Sequence, residues 1–427
     1  MKLRIEKCIY GGAGLARAEG KAIFVPFTLP EELVEAHITE DKHSFANAEL
    51  DAVLEPAATR SAPSCSYFGE CGGCHYQHAT YPQQVELKRS ILGEALDRAR
   101  LTDVPEIIPV FAEPLAYRNR VRLHIGRGSP LLCYKRRASH ENLPVAHCPI
   151  AAPVLGQTIE VVNRIGDEFD LAEKFSEIEL FTNHAQDEIL LSLWAKDRAK
   201  DAAQSLKAFC ETLKQNLPAL KGAAVFSAEE ERFQSRKIGA WEEQSLIYQA
   251  ADRAYLISLG AFFQVNRFLI DKLVDLVCTG RSGKLAWDLY AGVGLFSAVL
   301  AKNFQQVIAV EAAPSSSQDL RVNLTNSKHK AITNSTLAFL RQQVQRKSVA
   351  PDLIVVDPPR SGLGKDVASL LTKVRAKTLI YVSCDPATLS RDLKALVESG
   401  YRLRNMHMVD LFPQTFHLES VTVLSLD

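Results

Sequence analysis

Two short stretches carry the residue types and spacings with the most chemical potential. In YVSCDPATLSRDLKALVESG, Cys384 follows an apolar run and precedes Asp385, Pro386 and an amphipathic pattern closed by Gly400. Asp385 suits an N-cap and Pro386 the first helical position, so a helix over about 386–398 begins directly after the thiol. A cysteine between a strand end and a helix start is placed to act as a nucleophile, and the positive helix end is expected to lower its pKa. The plainer alternative, a buried cysteine filling space, fits that setting less well. The second stretch, CSYFGECGGC at 65–74, spaces Cys65, Cys71 and Cys74 as C-x5-C-x2-C. The chain has nine cysteines, an odd number unevenly distributed, which points to a metal site in a reducing compartment rather than a disulfide framework. Four thiolates would suit zinc or iron–sulfur. Zinc usually takes paired C-x2-C hooks, and only one hook is present, so the spacing tilts toward a [4Fe-4S] cluster.

From about residue 263 the pattern that must position Cys384 is an alternation of strands and helices. KLAWDLY, QVIAVE, PDLIVVD and TLIYVSC are short apolar runs ending at or near Asp288, Glu311, Asp357 and Cys384. Alternation of this kind predicts a largely parallel sheet covered on both faces, with ligands bound at the C-terminal strand edge. In DLYAGVGLFSAVLAK, Gly292 and Gly294 let the backbone approach a ligand ahead of a helix. Ser297 stands at the third-glycine position of the dinucleotide fingerprint, and no Gly-Lys-Ser/Thr follows, so neither NAD nor a nucleoside triphosphate is favoured. Glu311 is placed to accept hydrogen bonds from ribose hydroxyls, against the plain alternative of a solvated strand end. In DPPRSGL, 357–363, two prolines stiffen the loop and hold Asp357 and Arg360 at the same edge.

Upstream, residues 1–58 read as short strands with glycine turns, a small β-barrel, followed by a linker at 57–63. QQVELKRSILGEALDRARL reads as an amphipathic helix, and 115–262 as β-rich with one helix, AKDAAQSLKAFCETLKQNL. Lys+Arg and Asp+Glu both total 50, so attraction to a polyanion has to be local. The clearest local excess is 114–140, with seven Lys/Arg and no acid; on a strand, Arg118, Arg120 and Arg122 share one face, with Tyr117 and Tyr134 as stacking surface for RNA. The barrel segment holds six Lys/Arg against ten Asp/Glu, so any RNA contact there is local, in the loop around Tyr10 to Arg17. Without a signal-peptide core or a membrane-length apolar run, a soluble cytoplasmic protein is expected.

GAFFQVN (260–266), DLYAGVG, VDPPRSGL (356–363), VSCDPATLSRDL (382–393) and DLFPQTFHLESV (410–421) resemble, in order, the motifs of RNA uracil-C5 methyltransferases that use S-adenosylmethionine. The last two are the most specific. Residues 1–58 resemble a TRAM domain, and the cysteine block resembles that family's iron–sulfur motif; 150–255 carries no recognised signature. The resemblance implies an α/β Rossmann-like methyltransferase domain at 263–427, an N-terminal OB-like β-barrel (TRAM) at 1–58 and a central α+β iron–sulfur and RNA-binding domain at 59–262.

Chemically, uracil carbon 5 is too weak a nucleophile until a thiolate adds to carbon 6, the role that suits Cys384. A base must then remove the carbon-5 proton. The resemblance puts that task on Glu419, with His417 and Asp410 as local alternatives, and puts cofactor contacts on Gln264, Tyr290, Glu311 and Asp357. It makes Cys148 the fourth cluster ligand, with Cys133 the competitor; Cys8, Cys210 and Cys278 lack supporting context. A monomer acting on RNA away from membranes is expected, and the resemblance puts large-subunit rRNA first and tRNA second. DNA cytosine-C5 enzymes use a Pro-Cys motif absent before Cys384, and amino-group methyltransferases with Asp-Pro-Pro-Tyr loops need no cysteine. A noncatalytic RNA-binding factor would have no use for Cys384 with Glu419.

Overall fold

The computed structural model describes residues 1–196, 202–227 and 236–426. The alternating pattern of the C-terminal region folds into an eight-stranded sheet. Its order is Lys330–Thr333, Phe304–Glu311, Gly283–Leu289, Leu353–Val356, Thr378–Ser383, Glu419–Leu426, Tyr401–Val409, Ile107–Val110. The first five strands are parallel, and Glu419–Leu426 runs antiparallel to both neighbours. The near-continuous apolar runs of the central strands reflect cover on both faces. Val355, Ile380 and Val382 pack with helix Ile270–Cys278, while Ile354, Val356, Leu379 and Tyr381 pack with helices Tyr81–Arg98, Gly364–Val374 and Pro386–Glu398. The chain winds outward from Gly283–Leu289 to Lys330–Thr333, then returns to Leu353–Val356 on the other side. That reversal opens a crevice at the C-terminal ends of these two strands.

Two upstream segments complete this domain. Helix Tyr81–Arg98 buries Val85, Ile91, Leu92 and Leu96 in the same core, and Ile107–Val110 pairs with Tyr401–Val409 at the sheet edge. Each buried leucine contributes about 1.5–3 kcal/mol. The boundary expected at 262/263 is therefore not the packing boundary: helical periodicity identifies an apolar stripe but not the surface that receives it.

Among the described residues, the central region forms a seven-stranded sheet backed by helices Pro153–Ile165 and Ala202–Asn216. The first of these was not expected. Its β-branched valines and isoleucines favour strands, although Leu155, Ile159 and Val162 fall at helical spacing. Residues 199–201 of the other, expected helix lie outside the described residues. At the N-terminus six strands make a sheet whose two edges, Lys2–Arg4 and Lys7–Cys8, are successive in the chain, so the sheet curls back on itself. The linker is tied down: Arg60 pairs at 2.5 Å with Glu32, whose side chain is fully buried and also accepts from the Leu29 and Ala57 amides. Among the described residues no helix is long and apolar enough to cross a membrane.

Candidate active site

Strand register builds the crevice. Leu289 pairs with both Val310 and Val356, so the next residues, Tyr290, Glu311 and Asp357, fall in one row across three strands. Tyr290 adopts φ 65°, and Gly292 and Gly294 follow at 54° and 92°, turning the chain sharply out of the sheet. A Cβ on Gly294 would lie 2.7 Å from Leu320, whereas one on Gly292 would meet nothing within 4 Å, which leaves room for a ligand there. Glu311 accepts from the Gly292 amide (2.8 Å) and the Ala313 amide (2.7 Å), so it shapes the loop as well as facing the crevice. Fully buried Asp288 accepts from the Ser297 hydroxyl, which gives the residue at the third-glycine position a structural partner. Gln264 donates to Asp357 at 3.4 Å. Burial, then the Asp288 and Glu311 carboxylates, push Asp357 up to about 7. A crevice this rich in carboxylates suits a cationic ligand bearing hydroxyls.

Ser383 pairs with Ser420 in the antiparallel ladder, and the Ser420 hydroxyl donates to the Ser383 carbonyl at 3.3 Å. Cys384, one residue beyond, and Glu419, one residue before, therefore lie at adjacent strand ends. Glu419 is buried, its Oε1 has no hydrogen-bond partner, and burial followed by Asp357 raises its carboxyl well above the usual range. The two alternatives for the base are otherwise engaged. Asp410 is fully buried and accepts from Lys88 Nζ at 2.6 Å. His417 Nε2 accepts from Arg360 at 3.3 Å, and burial followed by Arg360 pushes the imidazole down to about 3, too weakly basic for the task.

The expected lowering of the Cys384 pKa is not found. The Asp385 side chain caps helix Pro386–Glu398 by accepting from the Ala387 amide (3.0 Å) and the Thr388 amide (2.8 Å), so these donors are spent on a carboxylate. Burial, then Glu419 and Asp357, push the Cys384 thiol up to about 12, with Arg360 acting the other way. Recognising Asp385 as an N-cap was the signal that these amides were already taken.

An aromatic wall that the sequence did not disclose stands over the site. The Tyr10 hydroxyl, from the barrel, donates to the Cys384 carbonyl at 3.4 Å, and its ring meets Phe416 edge-on at 5.3 Å. His75 lies 4.6 Å from Phe416, which lies 4.2 Å from His417.

Cys65, Cys71, Cys74 and Cys148 gather in one neighbourhood: burial raises the first three, to about 11 for Cys71 and about 12 for Cys74, and charge on Cys148 raises each further. The Gly73 amide faces Cys71 Sγ at 3.4 Å. Cys133 is buried elsewhere, its thiol directed at the Leu131 carbonyl. Among the described residues no group of three His, Cys, Asp or Glu side chains forms a site for a single metal ion.

The arginine strip is not an open phosphate-binding face. Strand Phe175–Thr182 lies against strand Arg120–Ile125 and brings Glu177 to Arg122 and Glu179 to Arg120. Arg127, Arg136 and Arg137 pair with Glu173, Glu70 and Glu49. Tyr117 is fully buried, its hydroxyl donating to the Pro413 carbonyl at 3.1 Å, so it offers no stacking surface. The acids that neutralise the strip come from distant sequence.

The Rossmann-like sheet with a glycine turn beside a carboxylate-lined crevice is the architecture of an S-adenosylmethionine-dependent methyltransferase. The chain belongs to the tRNA (Uracil-5-)-methyltransferase family, whose model matches residues 80–426, and a TRAM domain matches residues 2–50. It is 32% identical to an uncharacterized RNA methyltransferase of Aquifex aeolicus, over 99% of this chain and 98% of that protein. It is also 32% identical to a 23S rRNA (uracil(1939)-C(5))-methyltransferase of Aeromonas hydrophila, over 96% of this chain and 92% of that protein. The fold is shared with the crystal structure of Pyrococcus abyssi tRNA (uracil-54, C5)-methyltransferase in complex with S-adenosyl-L-homocysteine. That likeness has a TM-score of 0.76 at 23% identity and covers 99% of this chain and 100% of that one.

Proposed function

We propose that this enzyme methylates carbon 5 of one uridine in large-subunit ribosomal RNA, with Cys384 as nucleophile and Glu419 as base. The observation that carries the chemistry is the Ser383–Ser420 pairing, which sets the thiol and the carboxylate at neighbouring strand ends. Likeness to a 23S rRNA enzyme over nearly the whole of both chains supports the choice of RNA.

Cys384 releases its proton to solvent, the thiolate sulfur bonds to carbon 6, and the ring electrons move to an enolate. Carbon 5 then takes the methyl group from the sulfonium donor, forming a carbon–carbon bond and leaving a neutral thioether. Glu419 removes the carbon-5 proton; the electron pair re-forms the 5,6 double bond as the carbon–sulfur bond breaks, and Cys384 leaves as thiolate. Gln264, Tyr290, Glu311 and Asp357 hold the donor. Its positive charge beside Asp357 and Glu311 offsets the carboxylates that keep the thiol protonated.

Cys65, Cys71, Cys74 and Cys148 would hold a [4Fe-4S] cluster. Methyl transfer from a sulfonium consumes no electron, so the cluster's contribution in this reading is to fix the loop that continues into His75 and Tyr76. The protein is taken as soluble, cytoplasmic and monomeric.

Mapping of 5-methyluridine by mass spectrometry in RNA from cells lacking the protein tests the reading. Loss of one mark from large-subunit rRNA with tRNA unchanged is expected. Loss from tRNA alone would overturn the choice of RNA, and no loss from either would overturn uracil methylation.

A further inference from the structure

Residues 410–418 connect two paired residues, Val409 and Glu419, at the end of one antiparallel hairpin. The path of such a loop is set by what holds its interior. Here helix Tyr81–Arg98 and the segment following Cys74 hold it. Lys88 Nζ donates to Asp410 Oδ1 at 2.6 Å and to the Phe412 carbonyl at 2.9 Å, so one ammonium ties the strand end to the turn. One helical turn earlier, Gln84 donates to Gln414 Oε1 at 2.9 Å and accepts from the Gln414 amide at 3.0 Å. The Gln414 carbonyl accepts from the His75 and Tyr76 amides, at 2.7 and 3.0 Å.

The Lys88 and Asp410 side chains are both 0% exposed. Burying two charges costs desolvation that their attraction only offsets, and a well-packed apolar pair folds as well. What an apolar pair does not supply is a donor spanning a carboxylate and a carbonyl two residues further on. Asp410 Oδ1 is held by the Lys88 ammonium, while its Oδ2 has no hydrogen-bond partner. Beyond the loop stands Glu419, whose Oε1 has no partner to orient it.

We infer that Lys88 is a positioning residue for the proton-removal step: by pinning Asp410 and Phe412 it fixes the 410–418 loop and thereby the approach of Glu419 to carbon 5. The inference rests on the reading of Glu419 as the base. Cys384 lies just past a different strand, Thr378–Ser383, and meets the clamped loop through Tyr10 against Phe416 and Arg360 against His417, so the fluorinated-RNA control reads whether its addition to carbon 6 survives. With Lys88 lost, the sulfur still bonds to carbon 6 and the methyl group still arrives, but removal of the carbon-5 proton and cleavage of the carbon–sulfur bond become slow.

The test compares full-length holoenzyme with Lys88→Met and with Lys88→Met/Asp410→Leu, the second removing the carboxylate that the first leaves buried and unpaired. Substrate RNA with ordinary uridine is used, and protein–RNA complexes are resolved under denaturing conditions. RNA carrying 5-fluorouridine serves as control, because fluorine at carbon 5 leaves no proton to remove and traps the complex whatever the base does. Both variants should lose turnover by about tenfold or more, accumulate a methylated covalent complex on ordinary RNA and retain trapping on the fluorinated RNA. Native turnover by the double variant would overturn the proposal, as would parallel loss of trapping and turnover in it. If the single variant fails to fold, the double variant decides. Native enzyme that traps no fluorinated RNA would instead strike the covalent reading on which the proposal stands.

Discussion

Burial, followed by the Glu419 and Asp357 carboxylates, pushes the Cys384 thiol up to about 12. In the proposed mechanism, a donor with positive charge at Asp357 would weaken the repulsion that keeps the proton on sulfur and so link activation of Cys384 to binding of the methyl donor. With the pKa raised, thiolate is a minor species throughout the neutral range, and its fraction grows with pH until the raised value is reached. Alkylation of Cys384 by iodoacetamide, followed by peptide mass spectrometry, should therefore rise about tenfold per pH unit between roughly pH 7 and 10. A plateau by about pH 9 would show an ordinary or depressed thiol instead. The place of Cys384 between a strand end and a helix start was legible in the sequence. Its protonation was not, because Glu419 and Asp357 are distant in sequence and only the register of neighbouring strands brings them beside it.

Among the elements, the parallel strands were the most legible, since Leu353–Val356 and Thr378–Ser383 are largely apolar runs too short for helices that lead directly into Asp357 and Cys384. The arginine-rich strand shows the opposite case. Arg120 and Arg122 do share a face, but Glu179 and Glu177 arrive on the next strand, and a count along one segment is blind to its neighbour. The cysteine block lies between these cases: its spacing was visible, whereas its junction with the 410–418 loop, through the His75 and Tyr76 amides on Gln414, was not. If Cys65, Cys71, Cys74 and Cys148 hold a [4Fe-4S] cluster, protein prepared without oxygen should be brown and bleach with dithionite. Cys71→Ala should lose the colour and impair folding or RNA binding. A colourless, zinc-loaded preparation would contradict the cluster, and a variant that folds and binds RNA normally yet loses methyl transfer would contradict its structural role.

At the scale of the whole molecule, the barrel, the cysteine loop and the methyltransferase sheet meet at one place. Tyr10 reaches the Cys384 carbonyl, a Cβ at Gly12 would lie 3.1 Å from His75, and Phe416 stands between Tyr10 and His75. The barrel is therefore a wall of the reactive site as well as an appended module, a relation that no local pattern in residues 1–58 encodes. Helix Tyr81–Arg98 adds a second such tie by clamping the loop before Glu419 from far upstream in the chain. The central claim is that this assembled site adds a thiolate to uracil in RNA and transfers a methyl group to carbon 5. Its most direct test is incubation of the native enzyme with S-adenosylmethionine and a large-subunit rRNA fragment containing 5-fluorouridine, followed by digestion and peptide mapping. One stable, methylated nucleotide adduct is expected on the peptide carrying Cys384, and without S-adenosylmethionine no methylated adduct. RNA that binds well yet leaves Cys384 unmodified would contradict it.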